Sequence, residues 1–266
     1  MGNLFIFGLG YTAKRLRDLL ISDGWQVRAT GSAGDVAFDD SAAVRNALAQ
    51  ASHVLSSVPP GDGGDPVLDR YGDALSHHWL GYLSSSGVYG DTGGAWVDES
   101  APTGTGRRVA RNEADAAWLA RDARVFRLPG IYGPGRSTFD RIRAGKAHRI
   151  DLPGQVFSRI HVDDIASAII AALEGDAPAG AYNIADDHPA SHNAVVEEAC
   201  CLLGIAPPPL QSIEEAGLSP MARGFYAENR RVANGKARRV LVWQPTYRDY
   251  RSGLTAILAA EGTDAL

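Results

Sequence analysis

The chain has 266 residues, 45% hydrophobic and 21% charged, a globular composition long enough for one large domain or a domain with an appended lobe. Its formal net charge of -5 and pI near 5.8 offer no general attraction to phosphate polymers or anionic membranes, which argues against nucleic acid and lipid as partners. The only cysteines, Cys200 and Cys201, are adjacent in a helix-like segment where a bridge would be strained; with no apolar run of about 18 residues and no export leader, the sequence reads as a soluble, cytoplasmic protein.

In chain order, Asn3 to Phe7 is a short apolar run expected to be a strand. A glycine loop follows, Gly8-Leu9-Gly10-Tyr11-Thr12-Ala13, and then a helical pattern carrying Leu16, Leu19 and Leu20 that stops near Gly24. The unit repeats: Trp25 to Thr30 and Asp35 to Phe38 read as strands, Ser41 to Gln50 as a helix, Ser52 to Val58 as a strand. Residues 59–66, rich in Pro, Gly and Asp, have the composition of an exposed loop. Beyond it come a helix from Val67 to Leu75, a strand from Trp79 to Ser84, a helix around Asn112 to Ala120 and a strand from Arg124 to Leu128. Strands alternating with helices predict an α/β fold, a Rossmann-type doubly wound parallel sheet. After Pro129 the pattern becomes turn-rich, although the helix at Val162 to Leu173 is expected to return to the main sheet. Residues 1–175 thus read mainly as a dinucleotide-binding domain and 176–266 mainly as a smaller C-terminal substrate lobe, the two interleaved after about residue 129.

In a strand-loop-helix unit the first glycine permits a tight turn and the second removes bulk where a pyrophosphate approaches the helix N-terminus. Gly8 and Gly10 fit these roles, and Ala13 takes the third small position. An NAD site usually carries an acid about 20 residues further on, at the end of the second strand. Here that region reads Arg28-Ala29-Thr30-Gly31-Ser32. No carboxylate repels a 2'-phosphate and Thr30 and Ser32 can donate to one, so NADP is favoured, with NAD as the alternative. Asp39, after the third predicted strand, can meet an adenine edge or open the next helix.

Four later segments join the glycine loop: Tyr82 to Gly90 (YLSSSGVYG), Arg127 to Gly135 (RLPGIYGPG), Arg159 to Ala166 (RIHVDDIA) and Tyr182 to Asp186 (YNIAD). In this order and spacing the chain resembles the extended and atypical short-chain dehydrogenase/reductase superfamily, the NAD-dependent epimerase/dehydratase group, over roughly residues 3 to 190. The resemblance implies hydride transfer at a nicotinamide and a Ser, Tyr, Lys catalytic group. In that group tyrosine moves the proton, lysine holds the ribose and lowers the tyrosine pKa, and serine orients the substrate oxygen. Ser85 matches the serine. Where the Tyr-x-x-x-Lys pair should stand, the sequence has Arg107 and Arg111, and arginine is a poor general base although Arg111 can still hold ribose hydroxyls. Tyr89 or a water is the leading replacement for proton transfer, with Tyr132 and His161 weighed behind it as mainly structural residues. The backbone at Pro129, Gly130 and Ile131 is expected to flank the nicotinamide.

Between Arg223 and Arg239 lie Arg223, Arg230, Arg231, Lys236, Arg238 and Arg239, with Phe225 and Tyr226 among them: donor forks suited to phosphate or carboxylate, or a solvated basic surface. The expectation is an oxidoreductase or epimerase with a non-standard catalytic group, acting on a small polar or nucleotide-linked substrate, without a metal. The resemblance favours a homodimer. A noncatalytic dinucleotide-binding sensor or interaction protein is the rival, motivated by Arg107.

Overall fold

The computed structural model describes residues 2–263. The opening unit forms as predicted, with strand β1 (Asn3–Phe7), helix α1 (Tyr11–Ser22) and strand β2 (Gln26–Ala29). Helix α2 (Ser41–Gln50), strand β3 (His53–Ser56), helix α3 (Pro66–Tyr71) and strand β4 (Trp79–Ser85) follow, α3 continuing into a 3₁₀ turn at Gly72–Ala74. A second 3₁₀ turn, Ser86–Tyr89, leads to β5 (Trp96–Val97), α4 (Val109–Leu119) and β6 (Arg124–Leu128). The turn-rich part contains β7 (Gly130–Tyr132), α5 (Thr138–Arg143), β8 (Arg149–Ile150), β9 (Arg159–His161), α6 (Val162–Glu174) and β10 (Gly180–Asn183). The chain ends with α7 (His192–Leu203), β11 (Leu210–Gln211), α8 (Pro220–Tyr226), β12 (Arg231–Val232), α9 (Gly235–Val240) and α10 (Tyr250–Thr263).

Six strands form one parallel sheet in the order β2-β1-β3-β4-β6-β10. Its central strands are buried on both faces, which is why β1 and β6 read as almost continuous runs rather than as alternating ones. Leu4 and Ile6 point to the face covered by α1 and α6, while Phe5 and Phe7 point to the opposite face, with Val44 and Trp118. A third core, around Phe139, Val195, Leu254 and Ile257, joins α5, α7 and α10 into a smaller lobe.

Two expectations change. The segment Asp35 to Phe38 is not a strand, because it makes a single parallel bridge, Thr30 to Val36. The Asp35 carboxylate accepts from Ala29 N and from Arg28 Nε, each at 2.8 Å, and so occupies the place of the next ladder bonds. The division at residue 175 falls before the sheet is complete, since β10 at Gly180–Asn183 is its edge strand beside β6. Helix α6 returns to the sheet as expected and packs on α1. Among the described residues no helix is long and apolar enough to cross a membrane.

Candidate active site

Strand β1 has β2 on one side and β3 on the other, so the chain direction of the crossovers reverses at its C-terminal end and a crevice opens there. Gly8 leaves the strand at φ +83°, and a Cβ on it would stand 2.8 Å from Val58 Cγ2 in the loop after β3. Around Gly10 a Cβ would meet nothing within 4 Å, and no side chain caps the start of α1. The open space and the uncapped helix end coincide, which suits a pyrophosphate. Ala13 is fully buried and lets α1 sit close on the sheet, while Thr12 is nearly buried. The Tyr11 hydroxyl donates to Pro134 O at 3.0 Å, tying the loop to the turn after β7, and burial pushes its pKa up to about 12.

Thr30 is 1% exposed, and its hydroxyl accepts from Gly8 N at 3.0 Å while its carbonyl accepts from Leu9 N at 2.8 Å. Its polar groups therefore shape the glycine loop from beneath instead of facing an adenosine phosphate. Ser32 is exposed, in the turn after β2. Arg28 uses Nε on Asp35, and its terminal nitrogens make no hydrogen bond among the described residues. Asp39 projects into solvent, its side chain 87% exposed, and pairs with Arg70; the acid that caps α2 is its neighbour Asp40, which accepts from Ala43 N.

At the end of β4 the half-buried Ser85 accepts from Gly87 N at 3.1 Å, which leaves its own hydroxyl hydrogen free to donate. A small cleft of about 40 Å³ opens beside it, lined by Ser86, Pro129, Gly130, Phe157, Glu228 and Arg230. Glu228 ties the segment before α4 to the segment after α8: Oε1 accepts from Arg107 N at 3.1 Å and lies 3.3 Å from Arg107 Nε, and Oε2 accepts from Arg230 Nη1 at 2.9 Å. The same Nη1 donates to Gly90 O at 2.6 Å. Asn229 extends this strap, donating from Nδ2 to Gly154 O and accepting from Val156 N, while its backbone bonds Asp91, Thr92 and Gly94.

No family model matches the chain. It is 30% identical to a 3-diazoavenalumate denitrifying reductase from a Streptomyces species over 244 residues, covering 86% of this chain and 70% of that one. The chain belongs to the extended short-chain dehydrogenase/reductase superfamily, in its epimerase/dehydratase group. A conserved Silicibacter pomeroyi protein of unknown function superposes with a TM-score of 0.88 at 39% identity, covering 98% of this chain and 99% of that one. A human epimerase family protein, SDR39U1, solved with NADPH, has the same fold at 16% identity and a TM-score of 0.76, covering 96% and 99%.

Pro129 and Gly130 line this cleft together with Ser86, the neighbour of Ser85. Ile131 turns its side chain into the core, so only its backbone remains for a ligand. Arg111 lies in the first turns of α4, where its Nη1 donates to Tyr82 OH at 3.1 Å. Tyr89 does not fit the part of proton donor: it is 2% exposed, its hydroxyl donates to Asn183 Oδ1 at 2.8 Å and accepts from Arg127 Nη1 at 3.0 Å, and burial raises its pKa. Tyr132 is locked beneath α10 near Asp249 O. His161 caps α6, its Nδ1 accepting from Asp163 N, and burial lowers its pKa. Asn229 opens a segment, Asn229 to Asn234, that is similar to one of the superfamily's atypical branch, whereas Glu228 has only its place inside an arginine-rich stretch to mark it.

Proposed function

We propose that the chain binds NADP(H), or failing that NAD(H), across the C-terminal edge of the sheet and reduces or oxidises a small polar substrate by hydride transfer. The observation that carries this reading is the open Gly10 cradle at the uncapped start of α1, on the C-terminal edge of the parallel sheet where β4 ends at Ser85. The α1 N-terminus and Gly10 fit the pyrophosphate, and Ser32 with the free end of Arg28 fits a 2'-phosphate. A nicotinamide held beside Pro129 and Gly130 supplies or accepts hydride at C4. Ser85 directs its hydroxyl at the substrate oxygen, Arg111 backs the ribose side, and the Glu228 to Arg231 strap limits access of water. The reductase name of the Streptomyces relative and the NADPH bound to the human neighbour support the chemistry and the cofactor class.

Titrating the protein with NADPH and NADH, with tryptophan fluorescence as the signal, tests the cofactor; a panel of aldehydes, ketones and sugar nucleotides with NADPH oxidation followed at 340 nm tests the reaction. Binding of NADPH tighter than NADH and turnover on at least one carbonyl are expected. Absence of binding to both dinucleotides refutes the reading.

A further inference from the structure

Hydride addition to a carbonyl pushes the π pair onto oxygen, so the site must hold a developing negative charge there and deliver a proton. The superfamily's tyrosine does both; here its place is taken by Arg107, whose guanidinium is engaged with Glu228. A group able to hold that oxygen therefore has to come from elsewhere in the cleft.

Gly87, in the turn after Ser85, marks the place. A Cβ built on it would meet two atoms within 4 Å among the described residues: Ser85 Oγ at 3.2 Å and Arg230 Nη2 at 3.9 Å. The missing side chain leaves a notch between a hydroxyl with a free hydrogen and one end of a guanidinium. Arg230 is fixed for this use, because Nη1 is occupied by Gly90 O and Glu228 Oε2, the side chain is 16% exposed, and Nη2 has no partner among the described residues. A planar fork clamped on one side aims its other nitrogen in a fixed direction.

We propose that Arg230 Nη2 and Ser85 Oγ form the oxyanion-binding pair of this enzyme and hold the substrate carbonyl oxygen in the notch over Gly87. This rests on the oxidoreductase reading above. A bound reduced nicotinamide would supply hydride to the carbonyl carbon; as the C=O π pair moved to oxygen, Arg230 and Ser85 would hold the alkoxide, and a water molecule would protonate it, releasing hydroxide to solvent. Arginine stays protonated at every working pH, so it acts as a fixed electrophile and not as a proton donor. The substrate class that follows is an aldehyde or ketone whose oxygen is small enough to enter the notch. Glu228 is a positioning residue, acting through Arg230.

Three variants test the pair. Arg230→Gln and Arg230→Ala are expected to lower kcat about 10²- to 10³-fold with NADPH affinity retained, the loss typical of removing one oxyanion donor, and millimolar guanidinium is expected to restore part of the Arg230→Ala loss. Gly87→Ala, whose φ is not in the left-handed region, fills the notch with both donors still present and is expected to abolish turnover in a folded protein. In the free protein, ¹³C-formate line broadening is expected in the wild type and lost in Arg230→Gln and Gly87→Ala. This readout stands even if no carbonyl on the panel is turned over, an outcome that would count against the oxidoreductase reading alone.

The wild-type kcat is expected to be flat across the neutral range. The rival proton donor is Tyr226, whose hydroxyl lies 3.0 Å from His148 Nε2 and whose ring stands edge-on to Phe157 of the same cleft. An ionisation in the kcat profile that disappears in Tyr226→Phe, or an Arg230→Gln enzyme within threefold of wild type, overturns the proposal.

Discussion

The sharpest stability test is Asp115→Ala. Asp115 and Arg127 are each 3% exposed at the side chain and pair through two bonds, Arg127 Nη2 to Oδ2 at 2.7 Å and Nε to Oδ1 at 3.2 Å, with Ser84 Oγ donating to Oδ1 at 2.5 Å. Removing the carboxylate strands a buried guanidinium that keeps, among the described residues, only its hydrogen bond to Tyr89, and breaking such a pair costs about 3–5 kcal/mol. At roughly 2–4 °C per kcal/mol for a chain of this size class, the midpoint should fall by about 6–20 °C. Urea unfolding followed by tryptophan fluorescence measures the difference, with an unchanged m-value showing that the unfolded state is not what moved. The double variant Asp115→Leu, Arg127→Met is expected to recover most of the loss, because an apolar pair of similar volume avoids desolvating both charges. A cost below about 1 kcal/mol for Asp115→Ala would show that water or local relaxation neutralises Arg127 and that the pair does not hold α4 to β6.

The remaining tests separate packing from ligand binding. Gly8→Ala is expected to lose stability, since it adds a Cβ at φ +83° and 2.8 Å from Val58, whereas Gly10→Val should change stability by less than about 1 kcal/mol, by denaturation, yet weaken NADPH binding at least tenfold by fluorescence titration. Tyr89→Phe is expected to cost about 1–3 kcal/mol, through the unpaired Asn183 and Arg127 groups, with turnover per folded molecule retained in an activity assay on the purified variant. Asp186 is 1% exposed and burial raises its pKa to about 8, against roughly 3.9 when unfolded. Between these values the native state holds a proton that the unfolded state has released, so stability should fall as pH rises from about 4 to about 8 and level off above. Asp186→Asn should remove that slope and stabilise the protein most at the alkaline end, as read from urea midpoints at several pH values.

The parallel sheet was legible because its strands are apolar runs separated by helical periodicity, and the glycine loop because its context, a strand before and a helix after, is local. What escaped is set by contacts across long sequence separations. Asp35 to Phe38 has strand-like residues, but whether Asp35 points at solvent or takes the ladder position of Ala29 depends on how the chain turns at Gly34. Thr30 reads as a polar residue at a cofactor edge, and only the return of β1 beside β2 turns its hydroxyl onto Gly8 N. Tyr89 sits in a motif close to the cleft, yet Asn183, 94 residues away, draws its hydroxyl into the interior. Asp115 carried a readable sign, a carboxylate between the buried Ala114 and Trp118 on a helix, which calls for a buried cationic partner.

Arg107 and Arg230 are coupled through one carboxylate. An arginine brings a charge that must be compensated, and Glu228 supplies the compensation from across the cleft. The same carboxylate then fixes Arg230, whose free nitrogen points at the notch beside Ser85. The charge of Arg107 and the clamping of Arg230 are thus linked through one carboxylate. Arg107→Tyr leaves Glu228 with one cationic partner instead of two, loosens the aim of Arg230, and is expected to lower kcat. Only Arg107→Tyr combined with Asn or Gln at Glu228, which removes the unbalanced charge, offers the tyrosine a place in the cleft. A single Arg107→Tyr variant at or above wild-type kcat would show that the two arginines act independently.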